Sequence, residues 1–176
     1  MVNETKLKGA YVVEPQRFDD PRGFFARSWS LRELPGWEHV APVESNVSFN
    51  QRRGTLRGMH YQAAPHGQAK IVRCTRGRIY DVVIDLRPGS PTFRQWVGVE
   101  LSAENRLTLC VPAELAHGFQ TLEDETEVFY LVSNYYAPDA SRGVRWDDPA
   151  FGVEWPDAPA GRTMADRDRD YPDFNS

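Results

Sequence analysis

Short runs in which apolar and polar residues alternate one by one recur along the chain. Between them glycine returns at close intervals: Gly54, Gly58, Gly67, Gly77, Gly89, Gly98, Gly118 and Gly143. Alternation with period two sends successive side chains to opposite faces of a strand. KIVRCTRGRIYDVVIDLR reads as two strands around a Thr-Arg-Gly turn. In the second, Ile79, Asp81, Val83 and Asp85 share one face, and Tyr80, Val82, Ile84 and Leu86 the other. RQWVGVELS, NRLTLCVPA, HGFQTLE and TEVFYLVSNYYAP continue the theme, and only SLRELPGW and the tail offer helical turns. Strands at this spacing without long helices predict an all-β chain, an antiparallel sandwich or barrel. Nothing marks a boundary or a repeat, so residues 1–176 read as one domain. The polar DAPAGRTMADRDRDYPDFNS is expected to be a surface coil or short helix.

Composition narrows the class of function. A formal charge of −4 leaves no basic footprint for nucleic acid, so an anionic ligand would need a local cluster of Arg and Lys. No apolar run approaches the ~18 residues of a membrane span, and MVNETKLKG lacks the plan of a signal peptide. A cytoplasmic protein is expected. Cys74 and Cys110 sit singly in apolar runs and read as reduced core residues.

The candidate chemistry centres on LRGMHYQAAPHGQAKIVRC, residues 56–74. In a strict strand Gly58, His60 and Gln62 share a face, with Arg57, Met59 and Tyr61 opposite, and Gly58 would leave room for a ligand. Lys70 opens the next strand and can reach the same cavity. A desolvated ammonium is costly unless it meets an anion, and a developing enolate is one. AELAHGFQTLED supplies His117, and Tyr130 lies in the strand TEVFYLV, followed by Tyr135 and Tyr136. A histidine base, a lysine and a tyrosine acid are the parts for abstracting a proton next to a carbonyl. A metal centre is not expected, because His60 is followed by Tyr-Gln rather than a second histidine, and neither cysteine has a partner at ligand spacing.

Seven blocks in order resemble one family, the dTDP-4-dehydrorhamnose 3,5-epimerases, which are cupin-type jelly rolls. They include EPQRFDDPRGFFARSW, GTLRGMHYQ, GQAKIVRCTRGRIYDVVIDLRPGSPTF, VPAELAHGF, VFYLVSNYYAP and GVRWDDPAFGVEWP. The resemblance implies His60 as general base, Tyr130 as the acid that reprotonates the other face, and Lys70 as the enolate partner. Asp168 in MADRD would orient the histidine; Pro172, four residues on, favours it over Asp166. Arg57 and His117 would line the sugar pocket, Arg22 would bind the nucleotide, and Tyr136 would stack on the base. Phe25, Glu44, Asn46 and Arg167 complete the implied substrate shell. The implied substrate is a nucleoside-diphosphate 4-keto-6-deoxyhexose, with no cofactor or metal. The implied assembly is a homodimer that exchanges amino-terminal strands, consistent with the apolar GFFARSW segment.

Some positions depart from the family pattern. Arg27 stands where a glutamate is usual, Glu44-Ser45-Asn46 replaces Gln-Asp-Asn, Ser141 replaces a glutamate, and Arg167 a lysine. A changed charge next to the nucleotide costs affinity for the usual one. Thymidine remains the first expectation from the resemblance, and the departures put cytidine or guanosine diphosphate behind it as alternatives. A ketoisomerase, a non-catalytic sugar-nucleotide binder and a metal-dependent cupin are the competing readings.

Overall fold

In a computed structural model describing residues 1–174, thirteen strands carry the chain. They are β1 (Val2–Glu4), β2 (Tyr11–Val13), β3 (Arg17–Asp20), β4 (Gly23–Ala26), β5 (Glu44–Asn50), β6 (Leu56–Gln62) and β7 (Lys70–Arg76). There follow β8 (Arg78–Asp85), β9 (Trp96–Ser102), β10 (Thr108–Val111), β11 (Leu115–Thr121), β12 (Thr126–Val132) and β13 (Ser141–Gly143). The only α-helix among the described residues is the four-residue α1 (Asp166–Arg169). All ladders are antiparallel, in a six-stranded sheet β1-β2-β10-β7-β12-β5 and a five-stranded sheet β13-β6-β11-β8-β9. The hairpin β3–β4 stands apart from both. This is the all-β antiparallel architecture that the alternation predicts, in the jelly-roll form that the resemblance implies.

The period-two pattern sorts side chains into layers. Val72, Cys74, Ile79, Val83, Leu101, Leu109, Phe119 and Val128 form the core between the sheets. On β8 the opposite face, Val82 and Ile84, packs outward with Met59, Ala116, Val144 and Phe151. The outer face of the larger sheet is closed by Leu34 and Trp37 against Tyr11, Val13, Ile71 and Cys110. Cys74 and Cys110 are free and buried, and burial pushes their thiols up to about 11 and about 12.

From Asp157 onward the carboxy-terminal segment is the surface coil with a short helix, α1, that its polarity suggests, but it is tied down rather than loose. Residues 144–174 form a strap over the outer face of the five-stranded sheet, with Val153, Trp155 and Phe174 packed on that layer. Thr163 bridges to Thr55, and the Phe174 amide donates to the buried Asp148 carboxylate at 2.6 Å. The strap thus returns to β6, carrying a buried Asp168. A few well-spaced aromatics anchor an otherwise polar segment, which averaged polarity conceals.

Candidate active site

The two sheets bring one set of groups into a single cavity. His60 on β6 and His117 on β11 are direct cross-strand partners, so both rings project from the same face of the five-stranded sheet. Lys70 on β7 and Tyr130 on β12 enter from the six-stranded sheet, and the strap adds Asp168 and Arg167. All six, with Arg57, line a cavity of about 530 Å³ walled by Val47, Ser48, Phe49 and Phe119 among others. A smaller hollow of about 190 Å³ lies beside it, sharing His60, Lys70, Tyr130 and Arg167 and adding Tyr136, Ser141 and Gln68.

The strict alternation expected of β6 fails at Gly58. His117 pairs with His60 while Phe119 pairs with Arg57, so three steps on β6 oppose two on β11. One extra residue is a β-bulge, which redirects side chains. It puts Arg57 on the His60 side, while Met59 turns into the layer under the strap. Gly58, at φ +136°, also serves a purpose other than the one expected. A Cβ there would lie 2.5 Å from the Cα of Gly118, so the glycine admits a neighbouring strand rather than a ligand. Its amide donates to Asp168 Oδ2 at 3.1 Å, just beyond the last β13 pairing, Gly143 with His60.

Two histidine–carboxylate pairs result. His60 Nε2 lies 2.6 Å from Asp168 Oδ1. Burial works to raise the Asp168 pKa, but His60 and the Gly58 amide outweigh it and hold the carboxyl below its usual value. Asp166 instead meets Arg169 at 3.0 Å. His117 Nε2 lies 2.6 Å from Asp81 Oδ1. Burial pushes His117 down against the pull of Asp81, with Lys70 and His60 adding to the fall, so its ring is neutral. A neutral ring donating from Nε2 leaves the Nδ1 lone pair towards Lys70 Nζ, 3.5 Å away. Burial lowers Lys70 to about 8, opposed by Asp81. Tyr130 is raised chiefly by burial and keeps its phenolic proton at neutral pH. The cavity therefore holds an imidazole paired with a carboxylate, a lysine easily stripped of its charge, and a protonated phenol. Among the described residues no group of three His, Cys, Asp or Glu side chains is placed to hold a metal ion.

The sequence pattern places Asp81 on a strand face but assigns it no role in the site. Its signal was legible: a carboxylate between Ile79 and Val83 on an apolar strand face must find a partner or stay unpaired at a cost of several kcal/mol. Asn50, which accepts Arg57 Nε at 2.7 Å, and Tyr171 gave no such signal. Ser141 and Arg167, departures far apart in sequence, meet at 2.7 Å.

Other candidates lie elsewhere in this single chain. Arg22, its side chain 89% exposed, pairs with Asp20 at the tip of the β3–β4 hairpin. Phe25, 71% exposed, projects from the same hairpin into a separate surface depression with Phe18 and Val13. Glu44 and the half-buried Asn46 lie on the edge strand β5 opposite Val132 and Tyr130, and line neither cavity. Tyr136 lines the smaller hollow and is largely exposed.

The sequence pattern of the family described as dTDP-4-dehydrorhamnose 3,5-epimerase matches residues 4–176. The dTDP-4-dehydrorhamnose 3,5-epimerase of Salmonella typhimurium is 43% identical over 159 residues, covering 89% of this chain and 86% of the relative. The crystal structure of the Bacillus anthracis dTDP-4-dehydrorhamnose 3,5-epimerase, with TDP and pyrophosphate bound, superposes with a TM-score of 0.91 at 41% identity over 99% of both chains. A 3'-monoepimerase from Streptomyces bikiniensis, in complex with dTDP-quinovose, superposes at 0.86 with 35% identity, covering 96% and 85%.

Proposed function

The chain belongs to the dTDP-4-dehydrorhamnose 3,5-epimerase family, and from that premise we propose how its own residues act. It is an epimerase of a dTDP-linked 4-keto-6-deoxyhexose, inverting C3, C5 or both without a cofactor. The carbonyl acidifies its neighbouring carbons. His60, held by Asp168 in one tautomer, takes the proton. The enolate oxygen meets the Lys70 ammonium, and Tyr130 delivers a proton from the opposite face. General acid–base help of this kind contributes ~10²–10⁴-fold, and one preorganised donor to the oxyanion ~3–4 kcal/mol. The observation carrying this reading is the 2.6 Å His60–Asp168 pair in one cavity with Lys70 and Tyr130. His117, fixed by Asp81 and facing Lys70, helps place that ammonium.

The nucleotide extends past Arg57 and Arg167 towards Tyr136. Arg22 and Phe25 then act on a second copy: their hairpin reaches outward with Phe18 and Phe25 exposed, as an arm entering a neighbour's site would. The working unit is a homodimer of single-domain chains exchanging amino-terminal strands, placed in the cytoplasm. No helix among the described residues is long and apolar enough to cross a membrane.

Solvent deuterium uptake tests the reading. In heavy water with dTDP-4-keto-6-deoxyglucose, the wild type incorporates deuterium at C3 and C5, and His60→Ala abolishes it. Uptake at C3 alone makes it a single-centre enzyme like the Streptomyces bikiniensis relative. Uptake only with a cytidine or guanosine analogue moves the nucleotide, and none with any of them refutes the epimerase.

A further inference from the structure

Arg167 stands where the two hollows meet, yet none of the ion pairs among the described residues includes it. Two neutral hydroxyls hold it instead: Nη2 donates to Ser141 Oγ at 2.7 Å and Nε to Tyr171 Oη at 2.8 Å. A carboxylate partner would orient a guanidinium and neutralise it together. Hydroxyl acceptors orient it and leave its charge for a ligand.

Tyr171 is itself held on both sides. Its ring stands edge-on to His60, with centroids 6.4 Å apart and planes at 67°. Its other contact is the backbone of Gly143, where an added Cβ would lie 2.2 Å from Tyr171 Cζ and 2.4 Å from Cε2. Gly143 has no positive φ, so the glycine is required here for space. Gly143 is also the residue paired with His60 across β13–β6. One small residue therefore seats a phenol that touches both the arginine and the base-bearing side of the cavity.

We propose that Tyr171, seated on Gly143, is a positioning residue for substrate binding: its hydroxyl aims the un-neutralised Arg167 guanidinium at the diphosphate of the sugar nucleotide. This rests on the epimerase reading only for the identity of the ligand. Tyr171 touches no reacting atom. Its effect falls on affinity, through Arg167.

The test is titration with TDP, alongside steady-state epimerisation. Tyr171→Phe keeps the ring and removes only the acceptor, so the fold is retained. A lost hydrogen bond to a charged group corresponds to on the order of tenfold. TDP affinity should fall by about that factor and KM rise similarly, with kcat within about twofold. In an Arg167→Ala background the same substitution should add nothing. Gly143→Ala, which displaces the whole ring, should weaken TDP at least as much. Unchanged TDP affinity in Tyr171→Phe overturns the inference, as does a full loss still seen without Arg167. If the wild type binds TDP with this pattern but exchanges no deuterium, the activity assignment falls and the Tyr171 assignment stands.

Discussion

Lys70 offers a prediction in which activity and stability move in opposite directions. Its ammonium has an ordinary value of 10.5 and is lowered to about 8, burial being the cause and Asp81 the partial offset. At 1.36 kcal/mol per unit, the drop corresponds to about 3 kcal/mol by which the fold disfavours the charged form. At pH 7 the protein bears that cost, because the lysine is protonated both folded and unfolded. Lys70→Met keeps an unbranched stem of similar length and removes the charge. It should raise stability at pH 7 by about 1–3 kcal/mol, less than the full figure because the 3.5 Å approach to His117 is lost. For a chain of this size that is roughly 2–4 °C in Tm per kcal/mol. The pH dependence is the sharper check. Between about 8 and 10.5 the unfolded chain holds a proton on Lys70 that the folded chain has released. Wild-type stability therefore gains with rising pH across that window relative to Lys70→Met, and the advantage of the variant shrinks. Denaturant titrations of both proteins at pH 7, 8, 9 and 10 measure this. Epimerisation by the variant should fall ~10²–10³-fold for want of a cation at the enolate, and wild-type activity should decline as pH rises through about 8. A variant less stable at every pH, or a gap that does not narrow above pH 8, would refute the reasoning.

Two further outcomes follow from the geometry. Asp168→Asn leaves the shape intact but removes the carboxylate that holds His60 and the Gly58 amide, so kcat should fall ~10²–10⁴-fold with little change in KM, read in initial rates. Gly58→Ala meets both a φ of +136° and a Gly118 Cα at 2.5 Å, and should cost roughly 2–5 kcal/mol in denaturant unfolding; a neutral result would mean the bulge is not held as described.

The sequence by itself determined the central strands β6–β12, most of their buried faces and the kinds of chemical group available, but not the short or edge strands β1–β3, β5 and β13. Alternation on β8 sorted Ile79 and Val83 from Val82 and Ile84, because a side-chain period of two is a local property of the backbone. The family resemblance named His60, Lys70, Tyr130 and Asp168 before any geometry was known. Only the tertiary structure decided what these residues meet. The bulge at Gly58 put Arg57 on the side of His60, a register choice that depends on β11 and not on β6 alone. The polar tail became a strap because Phe174 found Phe151 and its amide found Asp148, contacts 23 and more residues away. Asp81 gained its meaning from His117, 36 residues on, and Ser141 from Arg167, 26 residues on. Arg22 and Phe25 mark the converse: the sequence resemblance implies a substrate role for them, and the fold leaves both exposed on the β3–β4 hairpin, away from the two hollows. Local periodicity encodes which face a residue takes. Long-range pairing, which the chain adopts only once it is folded, decides which partner waits there.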